Sequence, residues 1–183
     1  MPTLCCELFS QFPTMTRILG VDPGSRTTGF GVIEVRAQRI VHVASGCIRV
    51  RGASLAARLK CIFDGICEVM ERHRPVEVVI EEVFMHRNAA SALKLGHARS
   101  AAMLAAVIAG LSVHEYAPAA VKQAITGRGN ADKMQVQHMV KLLLSLASLP
   151  PEDAADALAA ALCHAHRQQT LDRVRQRNPA LVQ

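Results

Sequence analysis

Tryptophan is absent from this 183-residue chain, and tyrosine occurs once. So little aromatic surface argues against a binder that stacks single-stranded bases on aromatic platforms. The six cysteines, Cys5, Cys6, Cys47, Cys61, Cys67 and Cys163, include no C-x-x-C pair. Cys61 and Cys67 lie six apart in a helical stretch and fall on different faces. The reading is reduced thiols, neither a zinc site nor a disulfide framework. The longest weakly polar stretch, Ala101 to Val113, is too short to span a membrane. The opening MPTLCCELFSQF lacks the basic start and apolar run of a secretory leader. A soluble, cytoplasmic protein is expected. Proline and glycine are scattered and no internal repeat is visible, so no linker divides the chain.

Half of the residues are apolar, enough for one domain with a real core. The net charge is +6, with a pI near 9.3. A basic globular protein suits a polyanionic partner such as nucleic acid, although the same charge serves plain solubility equally well.

Residues 1–14 carry one charge, Glu7, and no periodicity; a second Met stands at position 15. From Arg17 the pattern sharpens. Arg17–Asp22 (RILGVD) reads as a buried strand ending in an acid, and Pro23-Gly24-Ser25 as a turn. Gly29–Val35 and Arg39–Val50 read as further strands, and the short connections imply an antiparallel meander. Leu55, Leu59, Ile62, Ile66 and Met70 then recur at helical spacing, up to Pro75. Val76–Glu82 is a short apolar strand ending in acids. Asn88 can cap an Ala-rich helix over 89–110, in which Gly96 is expected to permit close packing on a sheet. Ser112–Tyr116 is a fifth strand. Pro118–Ile125 looks helical and stops at Gly127-Arg128-Gly129. Met134–Leu146 is amphipathic, with Val136, Val140 and Leu143 facing inward. Pro151 suits the first turn of a last helix through about Arg167. The order βββαβαβα followed by more helix implies an α/β protein whose five-stranded mixed sheet carries helices on both faces.

Several acids fall where such a sheet places active sites. Asp22 ends the first strand, a usual position for functional acids in open α/β sheets, yet Asp-Pro-Gly is also ordinary turn chemistry. Asp153 and Asp156 lie three apart and share a helix face. Their neighbours, Ala154, Ala155 and Ala157 through Leu162, make that helix apolar nearly all round, which implies burial. Two like charges there repel each other and lose hydration. The helix N-terminus offsets on the order of 1 kcal/mol. A divalent cation resolves the conflict; a solvated helix end stabilised by acids is the alternative. Glu81 and Glu82 end the fourth strand and point to opposite faces, and spacing does not choose between them. Hard oxygen donors of this kind select Mg²⁺ or Mn²⁺ over zinc. Two such ions can activate a water and stabilise the leaving oxygen of a phosphodiester. His97, His114, His138, His164 and His166 carry no ligand spacing and read as surface or satisfied core residues.

The segments ILGVDPGSRTTGFGVI (18–33), SGCIRV (45–50), VIEEVFMHRNAASALKLGHARS (79–100), VKQAITGRGNADKMQVQHMV (121–140) and DAADALAAALCH (153–164) together carry a resemblance. In this order, across nearly all of residues 17–166, the chain resembles the RuvC family of Holliday junction resolvases. The resemblance implies a ribonuclease-H-like fold. It implies that the catalytic, metal-binding acids are Asp22, Glu81 (the acid directly after Ile in the family's I-E-x-V-F pattern), Asp153 and Asp156. It further implies Mg²⁺, with Mn²⁺ as a substitute and two ions per site. The substrate it implies is four-way junction DNA, nicked symmetrically in opposed strands during recombination and repair. The implied partners are a second copy of the chain and the RuvA–RuvB branch-migration complex.

Phe84 matches a family aromatic acting at the open junction centre; core packing with Met85 is the other reading. Lys122 and Lys133 match family lysines near bound phosphates, against a solvated helix face. Arg87, Arg128, Lys94 and Arg99 are weaker candidates for backbone contacts. The chain is accordingly divided into an appendage unlike the family (1–16), a nuclease domain (17–167) and a basic tail (168–183) carrying Arg173, Arg175 and Arg177. Rival readings are a ribonuclease-H-like nuclease acting on RNA–DNA hybrids, an ATPase suggested by Asp22-Pro-Gly-Ser, and a non-catalytic junction-binding module. Actin-like ATPases need two such domains, and the four intact acids argue against the last.

Overall fold

The structure is a computed structural model that describes residues 15–37, 39–82 and 89–177. Its elements are β1 (Met15–Asp22), β2 (Thr27–Arg36), β3 (Arg39–Arg49), α1 (Leu55–His73), β4 (Glu77–Glu81), α2 (Ala89–Ile108), β5 (Ser112–Tyr116), α3 (Pro118–Thr126), α4 (Lys133–Leu143) and α5 (Glu152–Arg177). The five strands form one sheet in the order β3-β2-β1-β4-β5. β1 pairs antiparallel with β2, and β2 with β3; β4 runs parallel to both β1 and β5. The antiparallel meander followed by parallel β–α units agrees with the expected mixed sheet.

Alternation along the strands divides the core into two layers. Leu19, Val21, Val32, Val78 and Ile80 pack with Ile62 and Ile66 of α1 and with Ala98, Ala102 and Ala105 of α2. Ile18, Ile33 and Val79 face the other way, against Val121 and Ile125 of α3, Val136 and Val140 of α4, and Leu158 and Leu162 of α5. Local signals set the helix ends. The Ser54 side chain accepts from the Ala57 N–H, and Asp132 forms a capping box with Gln135. Gly127, in the left-handed region at φ 74°, closes α3 by donating its N–H to the Gln123 carbonyl.

α5 lies directly on β1 and β2, and its seat requires missing side chains. A Cβ on Gly20 would stand 1.9 Å from the Ala157 carbonyl oxygen, and one on Gly29 would stand 1.9 Å from that of Asp153. Only glycine lets the helix backbone come so close. The alanines of α5, buried from Ala154 through Ala165, supply the matching thin surface.

Four details differ from the sequence reading. Gly96 does not serve packing: nothing lies within 4 Å of the place its Cβ would occupy. The inward stripe of α4 continues at four-residue spacing from Val136 and Val140 to Leu144, which is 7% exposed, whereas Leu143 is 40% exposed. β1 begins at Met15, paired with Arg36, inside the stretch assigned to the appendage. α5 continues through Arg177, so residues 168–177 of the expected tail are helical.

Gly20→Ala is expected to lower stability in chemical denaturation by about 1–3 kcal/mol through overpacking. Gly96→Ala is expected to raise it by about 0.5–1 kcal/mol, because alanine is the better helix former where space is free. A Gly20→Ala chain as stable as the parent would contradict the close seat of α5.

Candidate active site

The register of the sheet decides which acids meet. Ile18, Gly20 and Asp22 share one face of β1, the face carrying α5. Glu77, Val79 and Glu81 share the corresponding face of β4, where Val79 packs in the same layer. In the parallel pair Gly20 lies beside Val79 and Val21 beside Ile80. The next step of that register sets Asp22 beside Glu81. Glu82 has the opposite parity, so strand geometry separates two acids that sequence spacing leaves equivalent.

The N-terminus of α5 reaches the same edge. Asp22 is the cross-strand partner of Gly29, and the bare Cα of Gly29 seats Asp153. Asp156, one turn further along the helix, lines a cavity of about 300 Å³ with Asp22, Glu81, Lys122, Lys133, Pro118, Val121 and Val136. Asp153 does not line that cavity, but its charge acts on both Asp22 and Asp156.

Burial and mutual repulsion dominate the electrostatics. Asp22 is pushed up to about 7, first by burial and then by Asp156, Glu81 and Asp153, with Lys133 opposing. Glu81 is also pushed up to about 7, by burial and by Asp156, against Lys122 and Lys133. Asp156 is raised, mainly by burial. Two lysines thus leave the acids undercompensated. Lys133 is itself shared with Glu152, an exposed ion pair of little net strength.

The donor set consists of carboxylate oxygens, which suits a hard divalent cation. Added positive charge would relieve the repulsion that raises Asp22, Glu81 and Asp156. The acids nevertheless stand apart. Among the described residues, the trio of donors lying within 4.8 Å of one another is Glu77, His114 and His164, at the opposite end of β4. The sequence reading placed no weight on these histidines. His114 and Tyr116 share a face of β5 by their spacing, but their approach to His164 requires the packed fold.

The remaining candidates fall elsewhere. Arg128 is exposed in the turn after α3 and does not line the acid cavity. Arg99 is ion-paired with Glu115. Lys94 lines a separate, mainly apolar cavity of about 390 Å³ between α1 and α2, with Arg58 and His97. Phe84 and Arg87 lie outside the described residues, as does Asn88. The described cysteines, Cys47, Cys61, Cys67 and Cys163, are free thiols. No helix among the described residues is long and apolar enough to cross a membrane.

Comparison with known proteins identifies the family and the fold. Residues 18–164 match the family model described as crossover junction endodeoxyribonuclease RuvC. The crossover junction endodeoxyribonuclease RuvC of Halorhodospira halophila is 62% identical over 154 residues, covering 83% of this chain and 91% of that protein. That of Tolumonas auensis is 58% identical over 160 residues, covering 87% and 92%. Among solved structures, Thermus thermophilus RuvC in complex with a Holliday junction substrate superposes with a TM-score of 0.78 at 37% identity, covering 85% of this chain and 96% of that one. The yeast mitochondrial Holliday junction resolvase Ydc2 shares the fold, with a TM-score of 0.69 at 11% identity, covering 93% and 86%.

The raised carboxyls imply a definite pH dependence without added metal. A group whose folded pKa lies above its unfolded value stabilises fully below the unfolded value and loses that contribution as pH rises through the folded one. For Glu81 the window runs from the ordinary 4.5 to about 7. In EDTA, Glu81→Gln is expected to gain on the parent in thermal melts as pH rises from 5 to 8, by on the order of 1–2 kcal/mol after allowance for solvent screening. A difference that is flat across this range would contradict the crowding of charge.

Proposed function

The chain belongs to the RuvC family of crossover junction endodeoxyribonucleases, and from that premise we infer that Asp22, Glu81, Asp153 and Asp156 are its catalytic carboxylates. It is a Holliday junction resolvase, an endonuclease acting on DNA in recombination and repair. The observation that carries the residue assignment is the meeting of acids from β1, β4 and α5 at one cavity, with Lys122 and Lys133 on its wall.

The family uses a divalent metal, and we take the ion here to be Mg²⁺, with Mn²⁺ as a substitute and two ions per site. Asp22, Glu81, Asp153 and Asp156 would hold it. When bound, such an ion polarises the phosphoryl oxygen and lowers the pKa of a coordinated water. The chain's own contribution is placement. β1 and β4 are hydrogen-bonded neighbours, and their parallel register sets Asp22 beside Glu81. α5 brings Asp153 and Asp156 down onto them through its glycine seat. Lys122 and Lys133 offset carboxylate charge and attract the phosphodiester, which the four acids alone would repel. Phe84, Arg87 and Arg128 are retained as proposed DNA contacts, Phe84 by stacking on an unpaired base.

A junction has two-fold symmetry, and a two-fold homodimer would present one active site to each of two opposed strands. α2 is the proposed centre of that interface. Ala98, Ala101, Ala102, Ala105 and Ala106 face the core, while Leu93, Leu104, Val107 and Ile108 are more than half exposed, an apolar face that suits a second copy of the chain. Association with the RuvA–RuvB complex and action in the cytoplasm belong to the same reading.

One assay tests it. The purified chain is incubated with a synthetic mobile junction and with an RNA–DNA hybrid, in Mg²⁺ or in EDTA, and the nicks are mapped. Paired, symmetric nicks in opposed strands of the junction are expected in Mg²⁺ alone, with the hybrid intact. Cleavage of the hybrid would favour a different ribonuclease-H-like activity. Unpaired nicks would contradict the dimer, and cleavage in EDTA the metal.

A further inference from the structure

A second polar cluster lies at the end of the sheet remote from the acids. It joins three elements. Glu77 opens β4, four residues before Glu81, or roughly 13 Å along the strand. His114 lies on β5, paired with Val79. His164 lies on α5, eight residues beyond Asp156, or roughly 12 Å along the helix. His164 is 1% exposed. Its Nε2 stands 2.7 Å from Glu77 Oε2, and its Nδ1 stands 2.8 Å from the Tyr116 hydroxyl. The ring of His114 lies beside it, with centroids 4.2 Å apart and planes tilted by 31°. The buried Nε2 of His114 has no hydrogen-bond partner.

Core packing alone accounts for part of this cluster. A neutral His164 between Glu77 and Tyr116 is satisfied, but that leaves His114 Nε2 desolvated and unpaired, which is costly for a buried polar atom. It also leaves unexplained why a second imidazole, rather than an apolar ring, is set against the first.

We propose that Glu77, His114 and His164 form a binding site for a divalent transition cation of the zinc class, separate from the carboxylate cluster. One ring nitrogen of each histidine and one carboxylate oxygen lie within 4.8 Å of one another. Ligands about 2.0–2.2 Å from a tetrahedral zinc stand roughly 3.3 Å apart, so small side-chain rotations close the set. Two imidazoles and one carboxylate are a nitrogen-rich donor set, suited to zinc and poorly suited to Mg²⁺. Tyr116 supplies the outer support such ligands need: once an ion takes Nε2, which in the free chain faces Glu77 Oε2, the His164 proton sits on Nδ1 and the tyrosine oxygen accepts it. A cavity of about 290 Å³, bordered by His114, Tyr116, His164 and Gln168, leaves room for water as the fourth ligand. Arg167, a cation lining the same cavity, is exposed to screening solvent and lies over the Tyr116 ring, 5.7 Å from its centroid. An ion here clamps β4, β5 and α5 together, holding the middle of the helix that carries Asp153 and Asp156.

The test uses the full chain, stripped with EDTA and exchanged into excess Mg²⁺ so that the carboxylate cluster is occupied. Zn²⁺ is titrated against a chromogenic chelator, and Co²⁺ spectra report ligand type. The expected result is one tight Zn²⁺ per chain, a tetrahedral Co²⁺ spectrum without a thiolate charge-transfer band, and a higher Tm with Zn²⁺. His114→Gln and Glu77→Gln should each weaken Zn²⁺ binding at least ~10-fold and remove the gain in Tm. Unaltered Zn²⁺ affinity in both variants, displacement by Mg²⁺, a thiolate band, or no binding by the parent chain would overturn the site.

Discussion

The contact between α5 and the sheet is the constraint on which the rest depends. α5 crosses β1 and β2 at a distance that only glycine permits, at Gly20 and Gly29. A helix held off by ordinary side chains would carry Asp153 and Asp156 away from Asp22. The same contact supplies much of the core: apart from Asp156, the run from Ala154 to Ala165 is buried, and Leu158 and Leu162 fill the layer beneath it. Stability and site geometry therefore rest on one seam, and a change there affects both.

The charges at the two ends of the sheet are handled in opposite ways. Glu34, 2% exposed, is bound by Arg17 at 2.7 Å and by Arg36, and these guanidinium groups hold its carboxyl below the usual range. The acids at the other end have no such partners. Asp22 and Glu81 are pushed up to about 7, because burial and neighbouring carboxylates outweigh Lys122 and Lys133. A fold able to neutralise a buried acid with arginine leaves this cluster undercompensated. The imbalance is a cost to the free chain and a driving force for cation binding.

Much of this was legible in the sequence, for physical reasons. Strand alternation and helical spacing gave every element, because each buries one face. The burial of α5 followed from its apolar composition, and with it the strain on Asp156. Asp22 was less legible, since a turn uses the same residues. Glu81 and Glu82 could not be separated by spacing alone. Parity decides between them only once Val79 is known to face α5, and that is a property of the packed sheet. Gly96 was misjudged because a glycine in a helix looks the same whether it meets a neighbour or solvent. The Glu77–His114–His164 cluster was invisible because its members lie on three elements brought together by tertiary packing.

The central claim is that the four acids perform the cleavage and are not required to hold the substrate. The direct measurement is single-turnover cleavage of a four-way junction by Asp22→Asn in Mg²⁺, with junction affinity measured in parallel. The account predicts junction affinity close to that of the parent chain and no detectable cleavage. Resolution at a rate comparable to the parent would contradict it.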